Sequence, residues 1–111
     1  MAQPHLSSGI KGSVSPLGAA LGEARTTALV KGRQLEVARI VLAAGREMRE
    51  HKAPGEITVQ CLEGHLVFHT PDQVHSMQAG DFLYLDAGVA HSLRAVSDTS
   101  ALVTMYIGKP A

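Results

Sequence analysis

A run of five residues, Ile57–Cys61, places the tightest constraint on the fold of this chain. Apolar and polar side chains alternate strictly along the run, so its three apolar residues share one face and its two polar residues share the other. A Pro54-Gly55 turn signal precedes the run and Gly64 follows it. The pattern predicts a β-strand with one face in the core, because a slip of one residue would bury Thr58 and Gln60 instead.

The rest of the chain repeats this pattern of short strands between turns. No segment of ten or more residues fits a helix well. Residues 1–24 are rich in Ser, Gly, Pro and Ala and predict an N-terminal arm, and residues 25–111 predict a β-sandwich or barrel domain. In the second strand, 35–43, the apolar residues change face along its length, which predicts a bulge or a change of sheet near Arg39.

The composition limits the classes of partner. Ten basic and ten acidic residues cancel, so the chain carries no electrostatic footprint for nucleic acid or for an anionic membrane. Its apolar runs are far shorter than the roughly 20 residues that span a bilayer, and its first residues hold no apolar stretch of signal-peptide length. The lone Cys61 excludes an intrachain disulfide and suits a reducing compartment. We therefore expect one cytoplasmic domain.

Two segments, Gly45–Gly64 and Gly80–His91, carry most of the information in the chain. Together they resemble the paired motifs of the cupin family, the small jelly-roll barrels also called RmlC-like. The first motif of the family reads Gly, five residues, His-x-His, three or four residues, Glu, six residues, Gly. The second reads Gly, five residues, Pro-x-Gly, two residues, His, three residues, Asn. When the two motifs are aligned with this chain without gaps, six motif positions hold the expected residue: Gly45, His51, Gly64, Gly80, Gly88 and His91.

The resemblance implies an all-β jelly-roll barrel of two antiparallel sheets, with a site near one end. In the family, the His of the second motif points into the barrel beside the first His of the first motif, so His51 and His91 are expected to face each other. In the family that this chain resembles, a complete site holds iron, manganese, nickel or zinc between three His and one Glu. This chain departs from the motifs where the second His, the Glu, the Pro and the Asn would stand, with Ala53, Ile57, Asp86 and Ala95.

A divalent metal would require a further ligand. A catalytic metal takes about three protein ligands, and this register supplies only His51 and His91. Glu56 is one residue from the position of the family's Glu, and the turn before it could reset its face. His75 is the next candidate, because it shares a face with Met77. Whether iron, nickel, zinc or manganese binds therefore stays open at this point.

A small-molecule site is predicted around the same pair. We expect His51, His91, Ile57 and Cys61 to contribute to it, with two imidazoles among apolar walls. A structural role is the ordinary alternative for each residue. For Cys61 that role is a small buried hydrophobe, whose apolar setting raises the pKa of the thiol and opposes nucleophilic chemistry.

Two functions from different classes remain open. The first is a binding module whose barrel holds a small, partly apolar acid or carbonyl compound without a complete metal site. The second is a metal-dependent enzyme, a dioxygenase or an isomerase acting on a small polar metabolite. A third, an accessory domain acting only through its dimer surface, is the plainest. We also expect a homodimer, because barrels of this size leave edge strands and the segment Thr26–Lys31 carries little charge for an edge.

Overall fold

A computed structural model describes residues 5–108 of the protein. That range contains one short 3-10 helix, Gly18–Glu23, and no helix long and apolar enough to cross a membrane. Its nine strands are β1 (Thr27–Lys31), β2 (Leu35–Leu42), β3 (Glu47–His51), β4 (Ile57–Glu63), β5 (His65–Thr70), β6 (Gln73–Gln78), β7 (Phe82–Leu85), β8 (His91–Ala95) and β9 (Thr99–Tyr106).

The strands form two antiparallel sheets that pack face to face. One sheet has five strands in the order β1-β2-β9-β4-β7, and the other has four in the order β3-β8-β5-β6. The chain stays in one sheet only from β1 to β2 and from β5 to β6 and changes sheet at its six other connections, so strands far apart in sequence become neighbours. The predicted all-β jelly-roll fold is confirmed.

The core lies between the sheets, and β4 crosses its centre. β4 pairs with β7 on one side and with β9 on the other. Its alternation is kept: Ile57, Val59 and Cys61 are at most 4% exposed, whereas Thr58 and Gln60 are only half-buried. Six other residues complete the buried cluster: Leu66, Phe68, Met77, Leu85, Leu93 and Ala101.

The prediction of a bulge or a change of sheet near Arg39 is wrong, because β2 stays in the five-stranded sheet along its whole length. β2 pairs with β9 without interruption along its whole length, and the irregularity lies in the neighbouring strand, β1. Apolar residues occur on both faces of β2 because the arm covers its outer face, where Leu6 and Val14 lie over Val37 around a small cavity. Strict alternation is expected only where one face of a strand meets water.

The arm is held to the barrel by polar contacts. The Glu63 carboxylate at the end of β4 accepts hydrogen bonds from the backbone N–H groups of Leu17 and Gly18, at 2.9 and 3.0 Å. The buried Arg39 side chain donates through Nη2 to the Ser15 carbonyl at 3.0 Å. The arm is therefore positioned by side chains of the five-stranded sheet.

Candidate functional site

His51 and His91 lie side by side at one end of the barrel. His51 is the last residue of β3 and His91 the first of β8, and the antiparallel pairing of these strands sets the two residues opposite each other. Their ring centroids are 4.2 Å apart and their planes are inclined at 62°. The Gly88 N–H donates to the Ala53 carbonyl at 2.9 Å, which ties together the loops beside the two histidines. The structure thus brings the two motif histidines into contact.

A backbone carbonyl orients each imidazole. Nδ1 of His51 lies 2.8 Å from the Arg49 carbonyl oxygen, and Nδ1 of His91 lies 2.9 Å from the Val89 carbonyl oxygen. A carbonyl oxygen only accepts hydrogen bonds, so each neutral ring carries its proton on Nδ1. Neither Nε2 makes a hydrogen bond to another residue of the described range. Each ring therefore keeps an unused acceptor lone pair.

His91 is the more enclosed of the two. It is 4% exposed and stacks on Phe68, with ring centroids 5.5 Å apart and planes inclined at only 10°. Burial lowers the pKa of His91 below its ordinary value, the contact with the Val89 carbonyl opposes that effect in part, and the neighbouring His51 adds to it. The imidazole of His91 is therefore neutral at neutral pH, with Nε2 as an acceptor.

Both imidazoles line a cavity of about 280 Å³. Ala53 and Ile57, which stand where the motif would have its second His and its Glu, line the same cavity. Both sheets contribute the rest of its largely apolar wall, which includes Ile40, Met48, Val59, Phe68, Leu93 and Met105. The arrangement is that of a small-molecule pocket, with few polar groups among apolar side chains.

The two further metal-ligand candidates lie outside this cavity. The Glu56 carboxylate accepts a hydrogen bond from the Tyr84 hydroxyl, and Tyr84 lies on the outward face of β7. His75 pairs with Phe68 across β5 and β6 and is not among the residues that line the cavity. The turn before β4 therefore leaves Glu56 on the outside of the barrel.

Cys61 belongs to the core and does not line the cavity. It is fully buried, and its thiol donates to the Glu63 carbonyl at 3.6 Å, towards the other end of β4. Burial raises the pKa of this thiol. Of the four residues expected in the ligand site, His51, His91 and Ile57 line the cavity, and Cys61 does not.

The side chains at the cavity do not supply the three His and one Glu of the complete metal site in the motif. Within residues 5–108, no group of three or more His, Cys, Asp or Glu side chains is placed to hold a metal ion. Two imidazoles remain, which is fewer than the three protein ligands of an ordinary catalytic site. The chemistry that this chain itself offers is therefore hydrogen bonding by two imidazoles inside an apolar pocket.

Sequence reasoning missed Lys52 and Phe68, which both line the cavity. Lys52 could have been expected near the cavity because it follows His51 in the sequence. Phe68 could have been expected to point into the barrel because it shares a face of β5 with Leu66. The backbone carbonyls that orient the two imidazoles leave no mark in the sequence.

A second cleft, of about 430 Å³, lies at the opposite end of the barrel, beside the arm. It is larger and more open, and its charged side chains are of both signs: Arg25, Arg46, Glu47 and Asp98. None of the predicted ligand or metal residues lines it. The cavity at His51 and His91 is smaller and more apolar, and it is the place where the motif residues converge.

The sequence and the fold both have known relatives. A family profile described as a cupin domain, Cupin_2, matches residues 38–107, more than half of the chain. No match was found among curated proteins.

Several solved structures share the fold. A cupin superfamily protein of Desulfitobacterium hafniense is 22% identical, with a TM-score of 0.74 over 86% of this chain and 94% of that one. An RmlC-like cupin of Desulfovibrio desulfuricans is 24% identical, with a TM-score of 0.73 over 87% of this chain and 96% of that one. Salicylate 1,2-dioxygenase of Pseudoaminobacter salicylatoxidans, in complex with gentisate, is 19% identical, with a TM-score of 0.64 over 72% of this chain and 22% of that one. At these identities the likeness concerns the fold alone.

Proposed function

This chain belongs to the Cupin_2 family of cupin domains, and from that premise we propose that its barrel binds a small organic molecule at His51 and His91 without a complete metal site. The observation that carries the proposal is the pair of Nε2 atoms, which make no hydrogen bond within residues 5–108 although their side chains line an apolar cavity. His51 is exposed, and Nε2 of His91 is not among the buried unpaired atoms of the described residues, so both acceptors are accessible to a ligand that enters the cavity.

The cavity suits a small, partly apolar acid or carbonyl compound. A volume of about 280 Å³ lies at the lower end of ordinary ligand pockets, which favours a metabolite over a larger molecule. Aliphatic walls would enclose the body of such a ligand, and the imidazoles would fix its polar end. Ala53 and Ile57 add to the apolar wall where a metal site would need ligands.

A metal-dependent dioxygenase or isomerase is the second candidate. It is favoured by one finding, the fold shared with salicylate 1,2-dioxygenase, and opposed by the two-imidazole donor set. Metal analysis of protein purified without a His tag separates the two. Bound iron, nickel, zinc or manganese near one equivalent, lost in the double variant His51→Ala/His91→Ala, would favour the enzyme.

A thermal-shift screen of small organic molecules tests the binding proposal. A hit should bind the wild-type protein and His69→Ala, because His69 is exposed and does not line the cavity. It should fail to bind His51→Ala/His91→Ala. A hit that binds the double variant as tightly as the wild type would place the pocket elsewhere and overturn the proposal.

We further propose that the chain forms a homodimer. β1 and β7 end the five-stranded sheet, and the outer face near β7 exposes 63% of Phe82 and 49% of Tyr84. An edge strand with little charge, as in β1, and exposed aromatic side chains, as in β7, favour pairing with another subunit. Light scattering at micromolar concentration should give twice the chain mass of 11.7 kDa. Phe82→Glu should shift the mass towards the monomer, and a monomeric wild-type protein would contradict the proposal.

A further inference from the structure

The charges around the cavity are one-sided. Among the residues that line it, Lys52 is the only Lys or Arg, and no Asp or Glu lines it. The Lys52 ammonium makes no hydrogen bond or ion pair with another residue of the described range. Lys52 is an exposed residue among those that line the cavity, and a cation there without a counter-charge favours an anion over a second cation.

The acidic residues of the two loops beside the histidines, 52–56 and 86–90, are held away from the cavity, and Glu50, next to His51, is exposed and does not line it either. The Tyr84 hydroxyl lies within hydrogen-bonding distance of the Glu56 and the Asp86 carboxylates, at 2.9 Å from Oδ1 of Asp86, and shares its one proton between them. Tyr84 is on the outward face of β7, since Leu83 and Leu85 on either side of it point inward. The two carboxylates that flank the loops at this end are thus engaged outside the barrel.

The hydrogen-bonding pattern of the imidazoles narrows the ligand further. With Nδ1 donating to a carbonyl, the Nε2 atoms of His51 and His91 are acceptors. Two acceptors require a donor on the ligand, which a hydroxyl group supplies and a simple carbonyl does not. The wall around them, including Phe68 and Leu93, is apolar and requires a hydrophobic body.

We propose that the ligand of this cavity is a small hydroxycarboxylate with an apolar body, whose carboxylate is recognised by Lys52 and whose hydroxyl donates to Nε2 of His51 or His91. This inference rests on the proposed binding function and names its ligand class. Lys52 then selects for negative charge, and the imidazoles select for the hydroxyl.

Matched probes separate the two recognition elements. Mandelate carries the carboxylate, the hydroxyl and a phenyl body; mandelamide lacks the charge and phenylacetate lacks the hydroxyl. An aliphatic series built on 2-hydroxyisocaproate, with its amide and with isocaproate, covers a smaller body. Titration calorimetry on the full chain should give the tightest binding for the hydroxycarboxylate of one series, and the two analogues should each bind about tenfold more weakly.

Lys52→Gln tests the charge, and Lys31→Gln is its matched control on β1. Lys52→Gln should weaken hydroxycarboxylate binding about three- to tenfold and leave amide binding unchanged. Lys52→Arg should restore most of the lost affinity, and added salt should weaken binding to the wild type more than to Lys52→Gln. Lys31→Gln should behave as the wild type.

The outcomes distinguish this inference from the proposed function. A neutral or cationic hit from the thermal-shift screen that needs His51 and His91 but ignores Lys52→Gln would overturn the hydroxycarboxylate and leave the binding function intact. A hydroxycarboxylate that binds without the two histidines would overturn both. If neither series nor the screen yields a molecule that binds, both proposals fail.

Discussion

The two ends of the barrel treat their polar groups differently. At the end of β4 that carries Glu63, the polar side chains are engaged: the Glu63 carboxylate accepts from two backbone N–H groups of the arm and from the Ser100 hydroxyl. Thr99 beside it bonds both the N–H and the carbonyl of His65. At the other end, the Nε2 atoms of His51 and His91 and the Lys52 ammonium have no partner within residues 5–108.

This difference separates groups that stabilise the fold from groups available to a ligand. The unpaired polar groups at the histidine end remain accessible, so water can bond them at little cost to the fold and a ligand can replace that water. At the Glu63 end, Nε of the buried Arg39 is the one buried side-chain nitrogen or oxygen atom of the described residues without a hydrogen bond. The comparison predicts that substitutions at the Glu63 end will change stability and that substitutions at the histidine end will change binding.

Gly64→Ala should produce the largest loss of stability. Gly64 has a φ of +87°, and an added Cβ would lie 2.2 Å from the Asp98 carbonyl oxygen. Strain and overlap together should lower the free energy of unfolding by about 3 kcal/mol or more. Gly80→Ala is the control, because Gly80 has a φ of +94° in open space and should cost only about 1–2 kcal/mol. Equal urea midpoints for the two variants would refute the packing argument.

Converting the histidine end into a metal site should give the next largest effect. Ala53→His combined with Ile57→Glu would surround the cavity with three imidazoles and one carboxylate, since both positions line it together with His51 and His91. Without metal, the new carboxylate should destabilise the protein by several kcal/mol or take up a proton. Zinc or nickel at a hundred times the dissociation constant should return about 2.7 kcal/mol in thermal melts.

The parent protein is the control for this variant and should respond far less to the same metals, having two of the ligands. A double variant whose melting temperature ignores every metal would show that residues 53 and 57 are not placed as ligand positions.

Glu63 should make the Glu63 end sensitive to acid. Partial burial acts to raise the pKa of Glu63, but hydrogen bonds from Ser100, Leu17 and Gly18, with Arg39 nearby, outweigh it and leave the pKa below its ordinary value of 4.5. The ionised Glu63 carboxylate therefore contributes fully to the free energy of unfolding above pH 4.5, and this contribution is lost as the pH falls through the folded-state pKa. Denaturant melts between pH 7 and 3 should show a loss of about 1 kcal/mol that Glu63→Gln lacks.

His51→Ala should have the smallest effect on stability. His51 is exposed, and its hydrogen bond within the described residues goes to a nearby carbonyl, that of Arg49. The free energy of unfolding should therefore change by no more than about 0.5 kcal/mol, although ligand binding is weakened. A loss of several kcal/mol with ligand binding intact would assign His51 a structural role and remove the contrast between the two ends.

Much of the fold could be predicted from the sequence because it depends on local patterns. The alternation of Ile57–Cys61 is present as a strand buried on one face, and Gly64 and Gly80 occupy turns with positive φ that other residues rarely adopt. The gapless motif register also placed Ala53 and Ile57 on the cavity wall. Periodicity and turn chemistry act over a few residues, and neighbouring side chains suffice to reveal them.

What the sequence by itself determined was the strand pattern, the turns and the pairing of His51 with His91. Only the tertiary structure decided which polar groups find partners. Tyr84, 28 residues away in sequence, engages Glu56 outside the barrel, and two backbone carbonyls set the tautomers of the histidines. The Glu63 carboxylate receives the arm from 45 and 46 residues away. Such contacts form only when segments far apart in sequence meet in the folded barrel. A local sequence pattern does not show which segments will meet.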